Sequence, residues 1–407
     1  MAPPAPPSPD PATARVRSAT AQVRSATAQV RSAIVGAGMI AEVHRRSVRT
    51  AGGRLTGVLA STPERSTQVA ADWSAPGQPV AAYGDFDDLL ADADVDVVHI
   101  CTPNRTHAAY AERALAAGKH VVCEKPLATG AADAERLVAA AERAGTVAAV
   151  PFVYRYHPLV RELRSRALAG EFGNWQLLHG SYLQDWMLDP DASGWRVDPG
   201  AGGDSRAFAD IGSHWCDLVE WVTGERFTEL TAHRTVTVPD RPSGTDAKSF
   251  ASSGSSVEGE RSTVTTEDAA ALLLRTESGA LASTVVSQVS AGRKNRLWFE
   301  LDGSAGSAVF DQENPDTLWL GGEDSSRILH RGAGGTSPEQ QRLNVVPPGH
   351  PQGYVDCFAA FVADVYAAVT TGETPEGLPL FTDGLRSARL VDAFLTSSAN
   401  GTWTKVN

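Results

Sequence analysis

The fold of this chain is decided by one short stretch, Val35-Gly36-Ala37-Gly38-Met39-Ile40-Ala41. The mostly apolar run 30–35 before it favours a buried parallel strand, and 42–50 after it is typical of a helix. Strand, glycine turn and helix form the context in which G-x-G-x-x-A binds a dinucleotide. Gly36 permits the tight turn, and Gly38 leaves the backbone open to a pyrophosphate at the positive end of the helix. An ordinary strand–helix turn of an α/β domain is the alternative interpretation.

The alternation of strands and helices continues to residue 150. Strands are predicted at 55–60, 79–82, 95–100, 120–123 and 147–150, and helices at 63–73, 85–90, 108–117 and 130–144. This order predicts an α/β fold, a doubly wound parallel Rossmann sheet over residues 30–150. Ligands of such sheets bind beyond the carboxyl ends of the strands. The sequence places Gly36, Thr102-Pro103-Asn104 and Glu124-Lys125-Pro126 there.

From residue 151 the pattern changes. A predicted helix at 157–169 is followed by strand-like runs at 174–184, 228–238, 268–275, 280–289, 296–301 and 307–311, and by helices at 352–371 and 383–398. Consecutive strands predict a C-terminal α+β domain with a mostly antiparallel open sheet over 151–407. The Ser278-Gly279 turn predicts a hairpin between two of them. Residues 239–263, rich in Ser, Gly and Asp, are expected to form a mobile loop.

The first 29 residues carry no pattern of a folded domain. They are rich in Pro and Ala, and the motif VRSATAQ that begins at Val16 repeats from Val23. Only Val recurs as a large apolar residue, so the repeat builds no coiled-coil seam. We expect residues 1–29 to be a disordered extension that is dispensable for folding.

Composition excludes several classes of protein. The formal net charge of −12 argues against binding to nucleic acid or to an anionic membrane, and no apolar run approaches the roughly 18 residues of a membrane span. The cysteines are scattered without a C-x-x-C pair: Cys101, Cys123, Cys216 and Cys357. We therefore expect neither a disulfide framework nor a metal site, and a cytoplasmic location.

Four motifs together resemble the Gfo/Idh/MocA oxidoreductases, the family of glucose–fructose oxidoreductase and inositol dehydrogenase. They are the glycine turn, Thr102-Pro103-Asn104…His107, Glu124-Lys125-Pro126, and Gly202-Gly203 followed by Asp210-Ile211-Gly212-Ser213-His214-Trp215-Cys216-Asp217. The resemblance spans roughly residues 30–400. It implies a nicotinamide cofactor in the first domain and hydride exchange with a sugar, cyclitol or related polyol. It also implies that Lys125, Asp210 and His214 act together.

The chemistry of these three residues is consistent with that implication. Asp210 and His214 are four residues apart, so a helix would place them on one face, where the carboxylate would orient the imidazole and favour its protonated form. Lys125, at a strand end, would hold the substrate oxygen and stabilise alkoxide character. The alternatives are a helix histidine satisfied by Asp210 or Asp217, and a solvated strand-end lysine.

The motifs predict two sets of binding residues. The predicted cofactor-binding residues are Gly36, Gly38, Met39, Ile40, Ser61, Thr62, Arg65, Thr102, Pro103, Asn104, His107, Glu124 and Lys125. The predicted substrate-side residues are Arg155, Tyr156, Trp195, Arg196, Asp210 and His214. Asn104 is alternatively an N-cap of the following helix, and Glu124 alternatively a partner of Lys125.

The end of the second strand indicates which nicotinamide cofactor is bound. An NAD site usually places Asp or Glu there for the ribose 2′-hydroxyl, whereas this chain continues Ser61-Thr62-Pro63-Glu64-Arg65. Ser61 and Thr62 would donate to a 2′-phosphate, and Arg65 would pair with it. The sequence therefore favours NADP, with NAD possible if Glu64 swings back toward the ribose.

These observations predict an NAD(P)-dependent dehydrogenase or reductase acting on CH–OH groups of a carbohydrate-like substrate. The alternatives are a glycoside-cleaving enzyme that uses hydride transfer transiently, an aromatic or diketone reductase, and a non-catalytic sensor of nicotinamide nucleotides. The alternation in 280–289 leaves neither face of the second sheet wholly polar, so a homodimer or homotetramer joined through these sheets is expected.

Overall fold

The computed structural model describes residues 29–242 and 261–407. Apart from residue 29, the N-terminal extension predicted at 1–29 lies outside the described residues. So do residues 243–260, the middle of the predicted loop.

The first domain is the predicted parallel sheet with helices on both faces. Its strands are β1 (Arg31–Val35), β2 (Arg54–Leu59), β3 (Ala81–Ala82), β4 (Val97–Ile100), β5 (His120–Cys123) and β6 (Ala148–Ala149). Its helices are α1 (Met39–Thr50), α2 (Pro63–Trp73), α3 (Phe86–Ala91), α4 (His107–Ala116) and α5 (Ala131–Ala144). All strands pair in parallel in the order β3-β2-β1-β4-β5-β6. The order reverses at β1, so a crevice opens beyond the carboxyl ends of β1 and β4.

The second domain contains a sheet of nine strands. They are β7 (Trp175–Leu183), β8 (Phe227–Thr235), β11 (Ala269–Thr276), β12 (Leu281–Ser287), β13 (Arg296–Gly303), β14 (Ser307–Asp311), β15 (Thr317–Gly321), β16 (Ser326–His330) and β17 (Thr404–Lys405). The order is β16-β15-β14-β13-β7-β12-β11-β8-β17, and every pairing is antiparallel except β7 with β12. The predicted hairpin is confirmed, because Ser278 and Gly279 join the paired strands β11 and β12.

The second half of the chain also contains helices, some of which cover one face of this sheet. They are α6 (Pro158–Leu168), α7 (Pro199–Gly202), α8 (Ser213–Thr223), α9 (Pro338–Leu343), α10 (Tyr354–Thr371) and α11 (Phe381–Asn400). Short 3-10 turns occupy Asn104–Thr106, Val153–Tyr156 and Trp195–Val197, and a π-helical turn, Phe208–Gly212, leads into α8. A buried core that includes Phe208, Trp215 and Phe394 fills the space between α8, α11 and the sheet.

The structure adds elements that the sequence pattern did not predict. They are the edge strands β15, β16 and β17, the helix α9, and a two-stranded sheet of β9 (Asp240–Pro242) with β10 (Arg261–Thr263). The predicted loop 239–263 therefore begins and ends as a paired ladder. These elements are short or lie at edges, where alternation is weak and pairing depends on distant partners.

One helix of the second half of the chain packs on the first domain. Among the described residues, α10 alone is long and apolar enough to meet the composition of a membrane span, with a mean hydropathy of 1.3, yet half of it is buried within the protein. Phe358 and Phe361 of α10 share a core cluster with Ile34 of β1 and Val48 of α1. This packing is that of a core helix, and it closes one side of the Rossmann sheet.

Candidate active site

The glycine turn borders a cavity of about 710 Å³ beyond the carboxyl ends of β1, β2 and β4. Gly36 has φ +106°, and a Cβ there would lie 2.5 Å from the carbonyl oxygen of Cys101, so only glycine fits. A Cβ on Gly38 would meet nothing within 4 Å, so the backbone at the start of α1 faces open space. No side chain caps this helix start. The free N–H groups and the open backbone fit a pyrophosphate.

The predicted residues around this turn take two different positions. The cavity is lined by Gly36, Gly38, Met39, Ile40, Ser61, Arg65, Thr102 and Pro103. Thr62 is not in the lining, because its hydroxyl accepts the backbone N–H of Arg65 at 3.2 Å and caps α2. Ser61 and Arg65 thus face the cavity, and Thr62 holds the helix start beside them.

The loop after β4 joins the two domains through hydrogen bonds. Asn104 does not cap α4, since its side-chain amide donates to the carbonyl of Gly202 at 2.9 Å. The buried ring of His107 bridges the carbonyls of Thr102 (2.8 Å) and Pro126 (2.7 Å). Both residues line a second pocket, and both hold its walls in place.

This second pocket, about 300 Å³, contains the predicted lysine and aspartate in direct contact. Lys125 Nζ lies 2.5 Å from Asp210 Oδ1 and 3.1 Å from the Asp210 carbonyl oxygen. The side-chain amide of Gln288 donates to Asp210 Oδ2 at 2.8 Å. Burial would raise the pKa of Asp210, but the nearby charges of Lys125 and Arg196 hold it well below its ordinary value. Asp210 is therefore an anion with both oxygens engaged.

His214 lines the same pocket, but its relation to Asp210 differs from the prediction. In the described residues no hydrogen bond joins the two side chains, because Lys125 and Gln288 satisfy the carboxylate. The ring packs edge-on against Phe152 and Tyr154 instead, and its Nδ1 has no partner. Burial and then the charge of Lys125 lower the pKa of His214 well below its ordinary value. The imidazole is thus neutral near pH 7, not protonated as the sequence analysis expected.

The wall beside His214 is a closed ring of hydrogen bonds. Tyr182 donates to Asn295 Oδ1 (2.6 Å), Asn295 Nδ2 donates to the Tyr154 hydroxyl (3.2 Å), and the two hydroxyls lie 2.6 Å apart. Because the Tyr182 proton is used on Asn295, Tyr154 donates to Tyr182. Gln184 adds a second donor to Asn295 Oδ1 at 2.8 Å. The side-chain amides of Asn295 and Gln184 each have one N–H that makes no hydrogen bond within this ring.

Trp195 and Arg196 lie where the two cavities meet and line both of them. The Arg196 guanidinium stacks over Trp195 at 4.4 Å, and its Nε lies 4.0 Å from Asp210 Oδ2. The pair forms a flat, positively charged wall between the glycine turn and the Lys125–Asp210 pair.

Arg155 and Tyr156 are not in this pocket, and their predicted substrate contact is wrong. Arg155 is buried in an ion pair with Asp217, and Asp383 accepts from the same guanidinium at 2.8 Å. Tyr156 is 1% exposed and packs against Phe361 of α10. The sequence placed both residues at the crevice, but the 3-10 turn Val153–Tyr156 directs only Tyr154 into the pocket.

The sequence analysis also missed residues that line or support the site. Gln288, Asn295, Gln184, Tyr154, Tyr182, Tyr354 and Lys294 come from the second domain. Gln288 follows β12 and meets Asp210 across 78 residues of sequence. The signal available in the sequence was a glutamine, Gln288, at the end of the strand-like run 280–289. That signal carried no information about which residue Gln288 would contact.

A dinucleotide-type cavity that opens onto a pocket with an ionised lysine–aspartate pair is the arrangement of nicotinamide-dependent oxidoreductases. A family signature for an oxidoreductase family with an NAD-binding Rossmann fold matches residues 30–152, and the GFO/IDH/MocA C-terminal domain matches residues 160–309. The chain belongs to the GFO/IDH/MocA oxidoreductase family.

Individual relatives agree with this assignment. Levoglucosan dehydrogenase of Pseudarthrobacter phenanthrenivorans is 32% identical over 331 residues, which cover 79% of this chain and 83% of that enzyme. A structure of levoglucosan dehydrogenase in complex with NADH and levoglucosan superposes with a TM-score of 0.82 and 27% identity, covering 93% of this chain and 100% of that chain. An inositol dehydrogenase homologue from Azotobacter vinelandii, solved with NADH and myo-inositol, gives 0.79 and 25%, covering 93% and 98%.

The chain is therefore an oxidoreductase whose first domain has the NAD-binding Rossmann fold.

Proposed function

We propose that Lys125, Asp210 and His214 form the reacting centre of an NADP-preferring dehydrogenase that oxidises a secondary hydroxyl of a compact cyclic polyol. The observation that carries this proposal is the 2.5 Å contact between Lys125 Nζ and Asp210 Oδ1 in a pocket adjoining the glycine-turn cavity. An ionised pair there holds a positive charge where an oxyanion would develop.

Each of the three residues has a distinct task. The Lys125 ammonium has three N–H groups, of which two point to Asp210, and the third is available for the substrate oxygen. Asp210 fixes the ammonium in place. Neutral His214 accepts the hydroxyl proton of the alcohol as general base. The bound nicotinamide supplies the acceptor of the hydride.

The preference for NADP rests on the end of β2. Ser61 and Arg65 line the cavity, whereas Glu64 does not. A 2′-phosphate would therefore meet a hydroxyl and a guanidinium instead of a carboxylate. The relatives solved with NADH mark NAD as the alternative cofactor.

The substrate class rests on the size and chemistry of the pocket. About 300 Å³ suits one sugar or cyclitol ring, and the amides of Asn295 and Gln184 supply donors for its oxygens. Levoglucosan, the substrate named for the relatives, is such a compact ring. We include a homodimer or dimer of dimers and a cytoplasmic location in the proposal; all four cysteines are buried and free, which fits a reducing compartment.

The test is a panel of anhydrosugars, monosaccharides and cyclitols assayed with NAD and with NADP. We expect steady accumulation of reduced cofactor, one equivalent per substrate oxidised, and a higher kcat/KM with NADP. Ser61→Asp should invert that preference, because a carboxylate repels the phosphate and accepts from the ribose hydroxyl. Glycoside cleavage without net cofactor reduction would support the transient-hydride alternative, and cofactor binding without turnover would support a sensor.

A further inference from the structure

Behind the catalytic lysine lies a buried chain of three ionisable side chains that the reaction described above does not use. Glu124, immediately before Lys125, directly follows β5 and is 6% exposed. His44 of α1 and His99 of β4 are both fully buried. His44 Nε2 lies 3.0 Å from Glu124 Oε1, and the Nδ1 atoms of the two histidines lie 2.9 Å apart.

The other oxygen of Glu124 reaches the lysine itself. Glu124 Oε2 accepts the backbone N–H of Lys125 at 3.1 Å. One carboxylate therefore connects the ring of His44 with the residue that carries the catalytic ammonium. Burial would raise the pKa of Glu124, but the hydrogen bond from His44 and the charges around it lower it, so the group is ionised.

One proton in this chain can be placed by elimination. An ionised carboxylate only accepts, so His44 carries its proton on Nε2. One proton lies between the two Nδ1 atoms, so one histidine donates to the other. His99 Nε2 is buried without a hydrogen-bond partner in the described part of the chain. Burial also lowers the pKa of His99 well below its ordinary value, which agrees with a neutral ring.

His99 thus supplies the hydrogen-bond partner of His44 Nδ1, on the side of the ring away from Glu124. With the proton on Nδ1, His44 would present a bare nitrogen to the Glu124 carboxylate, and the two acceptors would repel each other. Helix α10 shields these three side chains from solvent. The ring of Phe358 lies 4.7 Å from that of His44, and Tyr366 lies edge-on to His99. A buried ring nitrogen without a hydrogen-bond partner lowers the stability of the folded protein.

We propose that His44 and His99 are positioning residues, which hold Glu124 in one orientation and thereby fix the direction of Lys125 toward the substrate oxygen. This inference rests on the proposed catalytic role of Lys125. Small displacements of a catalytic group lower turnover strongly, so the effect should appear in kcat and not in cofactor binding.

The decisive variant is His99→Leu, measured in the full-length protein. It removes the unpartnered His99 Nε2 but leaves His44 Nδ1 without a partner in its place, so the melting temperature should stay close to the wild-type value. It also removes the hydrogen-bond partner that holds the His44 ring, so kcat should fall by about tenfold while the KM of the cofactor stays constant. A role in folding alone would move stability and turnover in the same direction.

A second pair of variants tests the donor itself. His44→Leu should lower kcat by at least about tenfold, and His44→Gln should restore most of it, because a glutamine amide at that position can still donate to Glu124. Tyr366→Phe is the matched control. It deletes the buried hydroxyl that bonds Ser32 at 2.7 Å and leaves the ring beside His99, so turnover should be normal.

Lys125→Met separates this proposal from the one on which it rests. If Lys125→Met retains turnover, the proposed reacting centre is wrong. If Lys125→Met is inactive while His44→Leu and His99→Leu keep wild-type kcat, the positioning role alone is overturned. The positioning role would also be overturned if His99→Leu lost melting temperature, cofactor affinity and kcat in parallel and if His44→Gln were no more active than His44→Leu.

Discussion

Single residues of this site owe their properties to neighbours that are distant in sequence. His214 is the clearest case, since burial and Lys125 favour its neutral form and Asp210 offsets only part of this. A neutral imidazole can accept the proton of an alcohol without first losing one of its own. The electrostatic role of Asp210 is thus to hold Lys125, and the orientation of His214 comes from packing against Phe152 and Tyr154.

The lowered pKa of His214 predicts a pH profile. The general base must be unprotonated, so alcohol oxidation should be lost only when the pH falls through this lowered pKa. We expect the acidic limb of kcat/KM to lie below about 6.5, the ordinary value for histidine. Measurement of kcat/KM across pH with saturating cofactor checks this. A limb at or above neutral pH would mean that His214 is not the base or is not buried as described.

Gln288 should matter to catalysis although it touches no substrate. In Gln288→Leu the Asp210 Oδ2 loses its only side-chain donor among the described residues apart from Arg196 at 4.0 Å, so the carboxylate is held less firmly against Lys125. We expect kcat to fall by about tenfold with little change in cofactor KM. Gln312→Leu is the control. Like Gln288, Gln312 has a buried Oε1 without a hydrogen-bond partner among the described residues, but it lies outside the pocket. Equal effects of the two variants would refute the specific role of Gln288.

At the scale of elements, local signals were sufficient for much of the fold. The helix predicted at 63–73 begins and ends where the structure has it, because Thr62 caps it and Pro63 fits its first turn. The strand ending at Cys123 was equally clear from its apolar run. Both elements are determined within a few residues of sequence.

Non-local contacts account for the failures. Arg155 lies next to the crevice in sequence, but Asp217 and Asp383, 62 and 228 residues away, capture its guanidinium. The strands β15 and β16 are short, and they form by pairing with each other and with β14. A single sequence carries the composition of such segments but not the identity of their partners.

The hydrogen-bonded wall that Asn295 forms with Tyr154 and Tyr182 predicts how substrate binding can be altered. Asn295→Asp keeps the shape but replaces the amide that donates to Tyr154 with a carboxylate oxygen. The ring should open, and the polyol KM should rise by about tenfold with a smaller change in kcat and none in cofactor KM. Asn314→Asp, in an exposed turn, is the control. A fall in kcat at constant polyol KM would show that Asn295 acts on the reaction rather than on binding.

In the whole molecule, one face of the nine-stranded sheet carries exposed apolar side chains. Leu177, Leu273, Leu281 and Val285 are each 37–47% exposed on its central strands. Leu273 and Val285 line a groove of about 530 Å³ together with other residues of β7, β8, β11 and β12. Apolar side chains on a broad, open sheet favour burial against another copy.

The proposed assembly can be tested on this face. Leu273→Lys with Val285→Lys should give a folded protein that sediments as a monomer at micromolar concentration, because charges would be buried between the sheets. Leu168→Lys, at a helix residue that is 65% exposed, should sediment like the wild type. A wild-type monomer at that concentration would contradict the proposed dimer.

We propose that Lys125, paired with Asp210, stabilises the substrate oxygen during hydride transfer. The most direct test of this claim is the rate of reduced cofactor formation by Lys125→Met, with saturating cofactor and the polyol that the wild type oxidises fastest. Lys405→Met, on the exposed edge strand β17, serves as the control. We predict a loss of at least about a hundredfold in kcat for Lys125→Met, with cofactor binding retained and the control unchanged. A Lys125→Met enzyme that turns over at close to the wild-type rate would contradict the claim.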